Sequence, residues 1–109
     1  METKMKHYDL VIRNGVTVTD KEKKEQDIGI KNGEIVTLGD ISEDGDREID
    51  AKGMLILPGG IDAHCHIEQK SSTGIMTADD FYSGSLSAAF GGTTTLIPFA
   101  AQHRGQSLR

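Results

Sequence analysis

The second half of the chain shows an apolar run, a helical pattern and a second apolar run, in that order. The first run is "MLILPGGIDAHCHI", the helical pattern extends from about Ala78 to Phe90, and the second run is "TTTLIPFA". Two buried strands joined through a helix and glycines predict a parallel βαβ unit. Parallel sheets are normally covered on both faces, and one such unit cannot cover itself. This pattern therefore limits the chain to folds in which further strands and helices complete the sheet.

Capping residues in the sequence predict where this helix begins and ends. Thr77 is the predicted N-cap, with Asp80 as a capping-box partner and Asp79 in the first turn. Gly91-Gly92 predicts the C-terminal end. The predicted apolar stripe of this helix consists of Phe81, Leu86, Ala89 and Phe90.

The first half of the chain reads as short strands joined by turns. Asn14-Gly15 and Asn32-Gly33 each lie between β-branched runs, which predicts two hairpins because both turn residues take positive φ. The run "DISEDGDREID" is predicted as a loop, and one more strand is expected before Pro58. We therefore expect a small β-sandwich-like segment over residues 1–57 and the start of an α/β barrel over residues 58–109.

Chain length conflicts with a complete barrel. A (β/α) barrel takes about 250 residues, whereas this sequence has 109 and only "AAQHRGQSLR" follows Phe99. We expect the chain to be an incomplete fragment of a two-domain protein, or a unit that other chains complete.

Composition excludes several classes of function. The net charge is -5 and the basic residues lie in short mixed runs, so binding to nucleic acid is not expected. No apolar stretch approaches the roughly 20 residues of a membrane span. The single cysteine, Cys65, rules out an internal disulfide framework and favours a cytoplasmic location.

The candidate site is the His-x-His pair in "GGIDAHCHI". On a strand, His64 and His66 point to the same face with Cα atoms about 6.6 Å apart, and neutral imidazole is a common zinc ligand. Barrel active sites lie at the carboxyl ends of strands. We therefore predict His64 and His66 as metal ligands. Asp62 shares their face and either orients a metal-bound histidine or caps the strand end.

Other residues near the pair receive structural interpretations. Cys65 points to the opposite face and is predicted as a small core residue. The loop residues Glu68, Gln69 and Lys70 either line the mouth of a pocket or form a solvated loop, and the solvated loop is the favoured interpretation. His103 is interpreted as an exposed loop residue, as is His7.

The stretch "GGIDAHCHI" resembles the first-strand motif of the amidohydrolase superfamily. The continuation "MTADDFYSGSLSAAFGGTTTLIPFA" is similar to cyclic amidohydrolases, the dihydropyrimidinase and hydantoinase family, and the similarity extends over essentially the whole chain. The resemblance implies that the chain is the N-terminal portion of such an enzyme, with a β-sandwich-like segment followed by the first βαβ unit of a TIM-type barrel.

The resemblance also implies a function. His64 and His66 would bind one ion of a binuclear centre, usually zinc, whose carboxylated lysine, other histidines and catalytic aspartate lie outside this chain. Metal-bound hydroxide would open a dihydropyrimidine or hydantoin ring to an N-carbamoyl amino acid. No catalytic residue beyond the two ligands lies within the 109 residues, which alone would be inactive. The complete enzyme would be a cytoplasmic homotetramer.

Three alternatives remain open at this point. The chain could belong to another amidohydrolase, such as an allantoinase or a dihydroorotase. It could belong to a non-catalytic, dihydropyrimidinase-like interaction protein. It could also act by itself as an interaction module through its unfinished sheet edge.

Overall fold

The computed structural model of the protein describes residues 7–107. The chain divides into two compact units, the first ending at Pro58 and the second beginning at Gly59. None of the helices in the described range is long and apolar enough to cross a membrane.

The first unit consists of seven described strands in two sheets. The strands are β1 (Tyr8–Arg13), β2 (Val16–Val18), β3 (Lys23–Glu25), β4 (Asp27–Lys31), β5 (Glu34–Gly39), β6 (Gly45–Asp50) and β7 (Leu55–Ile56). The four-stranded sheet has the order β5-β4-β1-β6, and the three-stranded sheet has the order β3-β2-β7. In the four-stranded sheet, β1 has the antiparallel neighbour β4 and the parallel neighbour β6. In the three-stranded sheet, the central strand β2 has the antiparallel neighbour β3 and the parallel neighbour β7.

The hairpin predicted at Asn32-Gly33 is confirmed. It joins the antiparallel strands β4 and β5, whose last paired residues are Lys31 and Glu34. Asn32 has φ 52° and Gly33 has φ 76°, the positive values that a two-residue turn of this kind demands.

The hairpin predicted at Asn14-Gly15 is wrong. β1 and β2 flank this pair, but they belong to different sheets and do not pair with each other. Only Asn14 has a positive φ, 63°. Gly15 is instead needed for close packing, because a Cβ there would lie 2.2 Å from Cδ1 of Ile56. The dipeptide carries the chain from one sheet to the next.

The loop predicted at "DISEDGDREID" is also partly wrong. Its second half is β6, which pairs in parallel with β1 from Gly45 to Asp50. β6 lies at the edge of the sheet, so its side chains are mostly exposed and a polar sequence is tolerated. The single strand expected before Pro58 is thus two strands, β6 and the short β7.

The hydrophobic core of the first unit is small. Tyr8, Val11 and Ile41 form a buried cluster in which Val11 is fully buried. The hydroxyl group of Tyr8 lies 2.8 Å from Oγ1 of Thr37, so the buried ring keeps a polar partner. Arg13 fixes the segment beside this core by donating to the carbonyl oxygens of Ile41 at 2.7 Å and Glu43 at 2.9 Å.

The second unit contains the predicted βαβ arrangement. β8 (Gly60–Cys65), α1 (Phe81–Phe90) and β9 (Thr93–Pro98) follow one another, and β8 pairs in parallel with β9. The prediction of a parallel βαβ unit is therefore confirmed.

The start of the helix differs from the prediction. Asp80 is the N-cap instead of Thr77, and it forms a capping box in which Oδ1 accepts from the Ser83 backbone N–H at 2.7 Å. The backbone N–H of Asp80 donates to Oγ of Ser83 at 3.1 Å. The hydroxyl group of Thr77 is committed elsewhere, because it accepts from the backbone N–H of Gln69 and donates to the carbonyl of Asp79. The predicted end of the helix at Gly91 is confirmed.

Apolar surface in the second unit is largely exposed. No residue of α1 is buried, so the predicted apolar stripe of the helix has no core beneath it in this unit. Ile61 on β8 is 70% exposed and Phe90 on α1 is 87% exposed. Ile67 is the one buried hydrophobic residue among those described in this unit, and it lies against Gly84 of the helix.

Candidate metal site

The two candidate histidines lie together at the carboxyl end of β8. His64 is on the strand, whereas His66 follows the last strand residue, Cys65, so the strand is shorter than predicted. The two imidazole rings have centroids 5.6 Å apart and an interplanar angle of 70°. Both side chains are exposed. Although only His64 is on the strand, the two rings lie side by side at its end, as the spacing predicts.

Phe99 completes this cluster, and the sequence interpretation did not identify it. Its ring stacks on His66 with a centroid distance of 4.8 Å and an interplanar angle of 8°. It also meets His64 edge-on at 4.7 Å. The residue follows β9 directly, and its backbone N–H donates to the carbonyl of Cys65 at 2.9 Å. The parallel pairing of β8 and β9 therefore places an aromatic ring against both imidazoles.

His66 has a polar partner on its other side. Nδ1 of His66 lies 2.6 Å from Oε1 of Gln69. An amide oxygen can only accept a hydrogen bond, so this contact fits the tautomer of His66 that has its proton on Nδ1 and its lone pair on Nε2. Gln69 is half-buried, which differs from the solvated loop that the sequence predicts for this segment. Glu68 and Lys70 are exposed, as a solvated loop requires.

The loop between β8 and α1 is held by hydrogen bonds along its length. Glu68 donates its backbone N–H to the carbonyl of Asp79 at 3.0 Å, and its carboxylate Oε2 accepts from the Phe81 backbone N–H at 3.1 Å. A carboxylate at a helix N-terminus satisfies an unpaired amide and interacts favourably with the helix dipole. A cavity of about 350 Å³ lies beside His66 and Gln69, with Met76 in its wall.

Asp62 contacts the backbone of His64 and not its ring. Oδ1 of Asp62 accepts from the His64 backbone N–H at 3.0 Å. Of the two roles left open for Asp62, this contact corresponds to stabilising the strand end. Cys65 is half-buried and not fully buried as a core residue would be.

The chain has close relatives among characterised enzymes. It is 44% identical over 101 residues to the D-hydantoinase of Rhizobium radiobacter, a match that covers 93% of this chain and 22% of the relative. It is 41% identical over 105 residues to the dihydropyrimidinase of Rattus norvegicus, covering 91% of this chain and 20% of the relative. An allantoinase of Escherichia coli is 37% identical over 90 residues, a match that covers 83% of this chain and 19% of the relative. No protein-family model matches the chain.

A solved structure of a D-hydantoinase has the same fold over this region. It superimposes with a TM-score of 0.84 at 42% sequence identity, covering 91% of this chain and 21% of that structure. The chain matches only the N-terminal part of the proteins named hydantoinase and dihydropyrimidinase. It spans about a fifth of the length of the hydantoinases that it matches.

Two imidazole rings by themselves are a partial donor set for a metal ion. Within residues 7–107, no group of three or more histidine, cysteine, aspartate or glutamate side chains is arranged so that it could hold a metal ion. His103 is exposed and faces a different cavity, one that Phe81 and Phe99 also line. Zinc sites in proteins take at least three protein ligands. The histidine pair fits one half of such a site, with Nε2 of His66 available to an ion.

Proposed function

We propose that this chain supplies the first metal-binding strand of a hydantoinase or dihydropyrimidinase-type hydrolase that opens a cyclic amide. In the proposed reaction a ring C–N bond is broken by water. The hydroxyl group ends on the carbonyl carbon, a proton ends on the ring nitrogen, and the product from a dihydropyrimidine or hydantoin is an N-carbamoyl amino acid. The relatives named D-hydantoinase and dihydropyrimidinase support this substrate class.

The observation that carries the proposal is the convergence of the His64 and His66 rings at the end of β8. Their centroids are 5.6 Å apart, and Phe99 packs against both rings. When bound, a divalent ion supplies a nucleophile at neutral pH by lowering the pKa of coordinated water, and it polarises the substrate carbonyl. His64 and His66 would hold such an ion from one side, and Phe99 would limit the movement of their rings.

We also propose that β8, α1 and β9 are the first βαβ unit of a TIM-type barrel. Exposed apolar side chains on both strands and on the helix of the unit, such as Ile61, Phe90 and Ile97, support this proposal. A complete barrel would cover these faces and extend the two-stranded sheet at both edges. In this arrangement the histidine pair lies at the carboxyl ends of the barrel strands, where active sites occur.

Several properties of the complete enzyme follow from the family resemblance. The centre would be binuclear and contain zinc, with a carboxylated lysine, further histidines and the catalytic aspartate outside these 109 residues. The enzyme would be a homotetramer. The single cysteine is compatible with the reducing cytoplasm, where we place the protein. The 109 residues alone would not catalyse the reaction.

A chimaeric enzyme tests the proposal with this chain as it is. The matched segment of the R. radiobacter D-hydantoinase is replaced by the corresponding residues of this chain, and hydantoin opening is measured. We expect activity in the chimaera and its loss, by at least a hundredfold, in the His64→Ala and His66→Ala versions. His7→Ala is the matched control, because His7 pairs with Asp46 in the first unit. Full activity in either of the first two variants contradicts the proposal.

Allantoin opening is the second candidate, because an allantoinase is also among the relatives. The polar loop "IEQKSSTGIM" lies directly beside the histidine pair, and such loops set specificity in barrels. The chimaera should be assayed with dihydrouracil, hydantoin, allantoin and dihydroorotate. Selective gain of allantoin opening would favour the allantoinase assignment. A folded chimaera that is inactive on all four would instead favour the non-catalytic interaction protein.

A further inference from the structure

Gln69 is the only described side chain that forms a hydrogen bond with either candidate ligand ring. Its Oε1 lies 2.6 Å from Nδ1 of His66. A neutral imidazole has one protonated and one unprotonated nitrogen, and the partner of one nitrogen decides the state of the other. With Nδ1–H donated to Gln69, Nε2 is left as the donor atom for an ion.

The backbone of Gln69 is fixed from two sides by Thr77. The backbone N–H of Gln69 donates to Oγ1 of Thr77 at 3.1 Å, and the Thr77 backbone N–H donates to the carbonyl of Gln69 at 3.0 Å. Oγ1 of Thr77 in turn donates to the carbonyl of Asp79 at 3.2 Å. The amide side chain of Gln69 therefore extends from a short paired segment and not from a free loop.

Glu68 turns the chain so that this pairing is possible. It has φ 51°, a conformation that non-glycine residues adopt rarely and at a cost in energy. In this conformation its carboxylate accepts from the Phe81 backbone N–H at the start of α1, at 3.1 Å. The unfavourable backbone conformation is thus offset by a helix-terminal hydrogen bond. The result is a loop anchored to α1 that directs Gln69 back towards His66.

We propose that Gln69 is a positioning residue for the metal site, which holds His66 in the Nδ1–H tautomer and presents Nε2 to a divalent ion. The inference rests on the proposed function in that His66 is taken to be a metal ligand. Gln69 touches neither the ion nor the substrate in this account. Partners that orient a metal-bound histidine typically change metal affinity by roughly 10- to 100-fold when they are removed.

The tautomer can be observed directly. The 109-residue chain, labelled with ¹⁵N and kept metal-free at about pH 8, where an ordinary imidazole is neutral, is studied by long-range ¹H–¹⁵N correlation of the histidine rings. We expect His66 to be protonated at Nδ1. Gln69→Met keeps the length of the side chain but removes the strong acceptor, and it should shift the ring towards Nε2–H. Gln69→Glu keeps an acceptor oxygen and should restore the Nδ1–H form.

A matched control separates this contact from general effects on the unit. Gln102 is an exposed glutamine in the same unit that donates to the carbonyl of Gln106 at 2.7 Å. Gln102→Met makes the same chemical change without touching either candidate ligand, and it should leave the tautomer of His66 unchanged. Backbone amide shifts of Thr77 and Glu68 report whether the loop stays formed in each variant.

Zinc titration by calorimetry supplies the second measurement. Gln69→Met should bind Zn²⁺ about tenfold more weakly than the wild-type chain, whereas Gln69→Glu and Gln102→Met should bind at least as tightly. Zn²⁺ binding that depends on His66 but is the same with and without Gln69 overturns the inference and leaves the proposed metal site intact. Zn²⁺ binding that His66→Ala does not weaken contradicts the metal site itself. A His66 ring that is Nε2–H in the wild type, or a loop with random-coil amide shifts, overturns the inference.

Discussion

The ring of Phe99 lies parallel to the imidazole of His66, with an interplanar angle of 8° and a centroid distance of 4.8 Å. One residue follows β9 and the other follows β8, and these strands are adjacent and parallel. The strand pairing therefore produces the stack directly. A stacked neighbour restricts the rotation of an imidazole, and in the proposed metal site this would hold the ring in place for an ion.

Removal of the Phe99 ring should weaken metal binding. Aromatic pairs contribute about 0.5–1.5 kcal/mol beyond simple burial, so Phe99→Ala should weaken Zn²⁺ binding roughly twofold to tenfold. Phe90→Ala is the matched control, because Phe90 is 87% exposed and makes no ring contact with either histidine. Calorimetric titration of the two variants gives the comparison. Equal affinities would show that the stack does not organise the pair.

The stability of the first unit should be sensitive to substitution of Val11. This side chain is fully buried, and Val11→Ala should lower the free energy of unfolding by about 2 kcal/mol. Val36→Ala removes the same two methyl groups from a side chain that is 43% exposed, so its effect should be much smaller. Urea denaturation of both variants measures the difference. Similar losses in the two would contradict the position of the core.

The packing role of Gly15 predicts a specific rescue. A Cβ at this position would lie 2.2 Å from Cδ1 of Ile56, so Gly15→Ala should destabilise the first unit by about 1–3 kcal/mol through overpacking. Ile56→Val removes that Cδ1 atom. The double variant should therefore be more stable than the sum of the single effects predicts, as a double-mutant cycle by urea denaturation would measure. Strict additivity would contradict the packing role of Gly15 against Ile56.

The N-terminus of α1 should depend on pH through Asp80. Hydrogen bonds from Ser83, the backbone N–H first and the side chain second, hold the pKa of Asp80 below its ordinary value of 3.8. Asp80 has a lower pKa in the folded state than in the unfolded state, so its ionised carboxylate stabilises the fold. This stabilisation is complete above the ordinary pKa of the group and is lost as the pH falls through the folded pKa. The protection factor of the Ser83 amide, which compares its exchange rate with that of an unstructured chain at the same pH, should fall in that acidic range, and Asp80→Ala should show a low protection factor at neutral pH as well. Asp20→Ala, in an exposed turn of the first unit, is the control and should leave exchange at Ser83 unchanged.

Local patterns predicted the elements that local chemistry determines. The turn at Asn32-Gly33, the helix end at Gly91 and the parallel pairing of β8 with β9 all follow from residue types close in sequence. The convergence of His64 and His66 follows from strand alternation in the same way.

Contacts between distant segments determined what the sequence did not reveal. Gly15 resembles a turn glycine, but its role depends on Ile56, which lies far along the chain. β6 has a polar sequence and is a strand only because β1 offers it a partner. Thr77 resembles an N-cap in the sequence, but its hydroxyl group forms hydrogen bonds with Gln69 and Asp79 instead.

The candidate site also depends on contacts that local sequence patterns did not predict. Phe99 and Gln69 contact the histidines through strand pairing and loop closure, neither of which is visible as a motif. A partial signal for Phe99 was present in the sequence, since this residue lies near the end of the second apolar run just as His66 lies near the end of the first.

Zinc titration of the 109-residue chain and its histidine variants tests the central claim most directly. We propose that His64 and His66 act together as one half of a metal site. The wild-type chain and His7→Ala should bind Zn²⁺ equally, whereas His64→Ala and His66→Ala should each bind at least tenfold more weakly, because one remaining imidazole cannot chelate an ion. Equal binding by all four proteins would contradict the account.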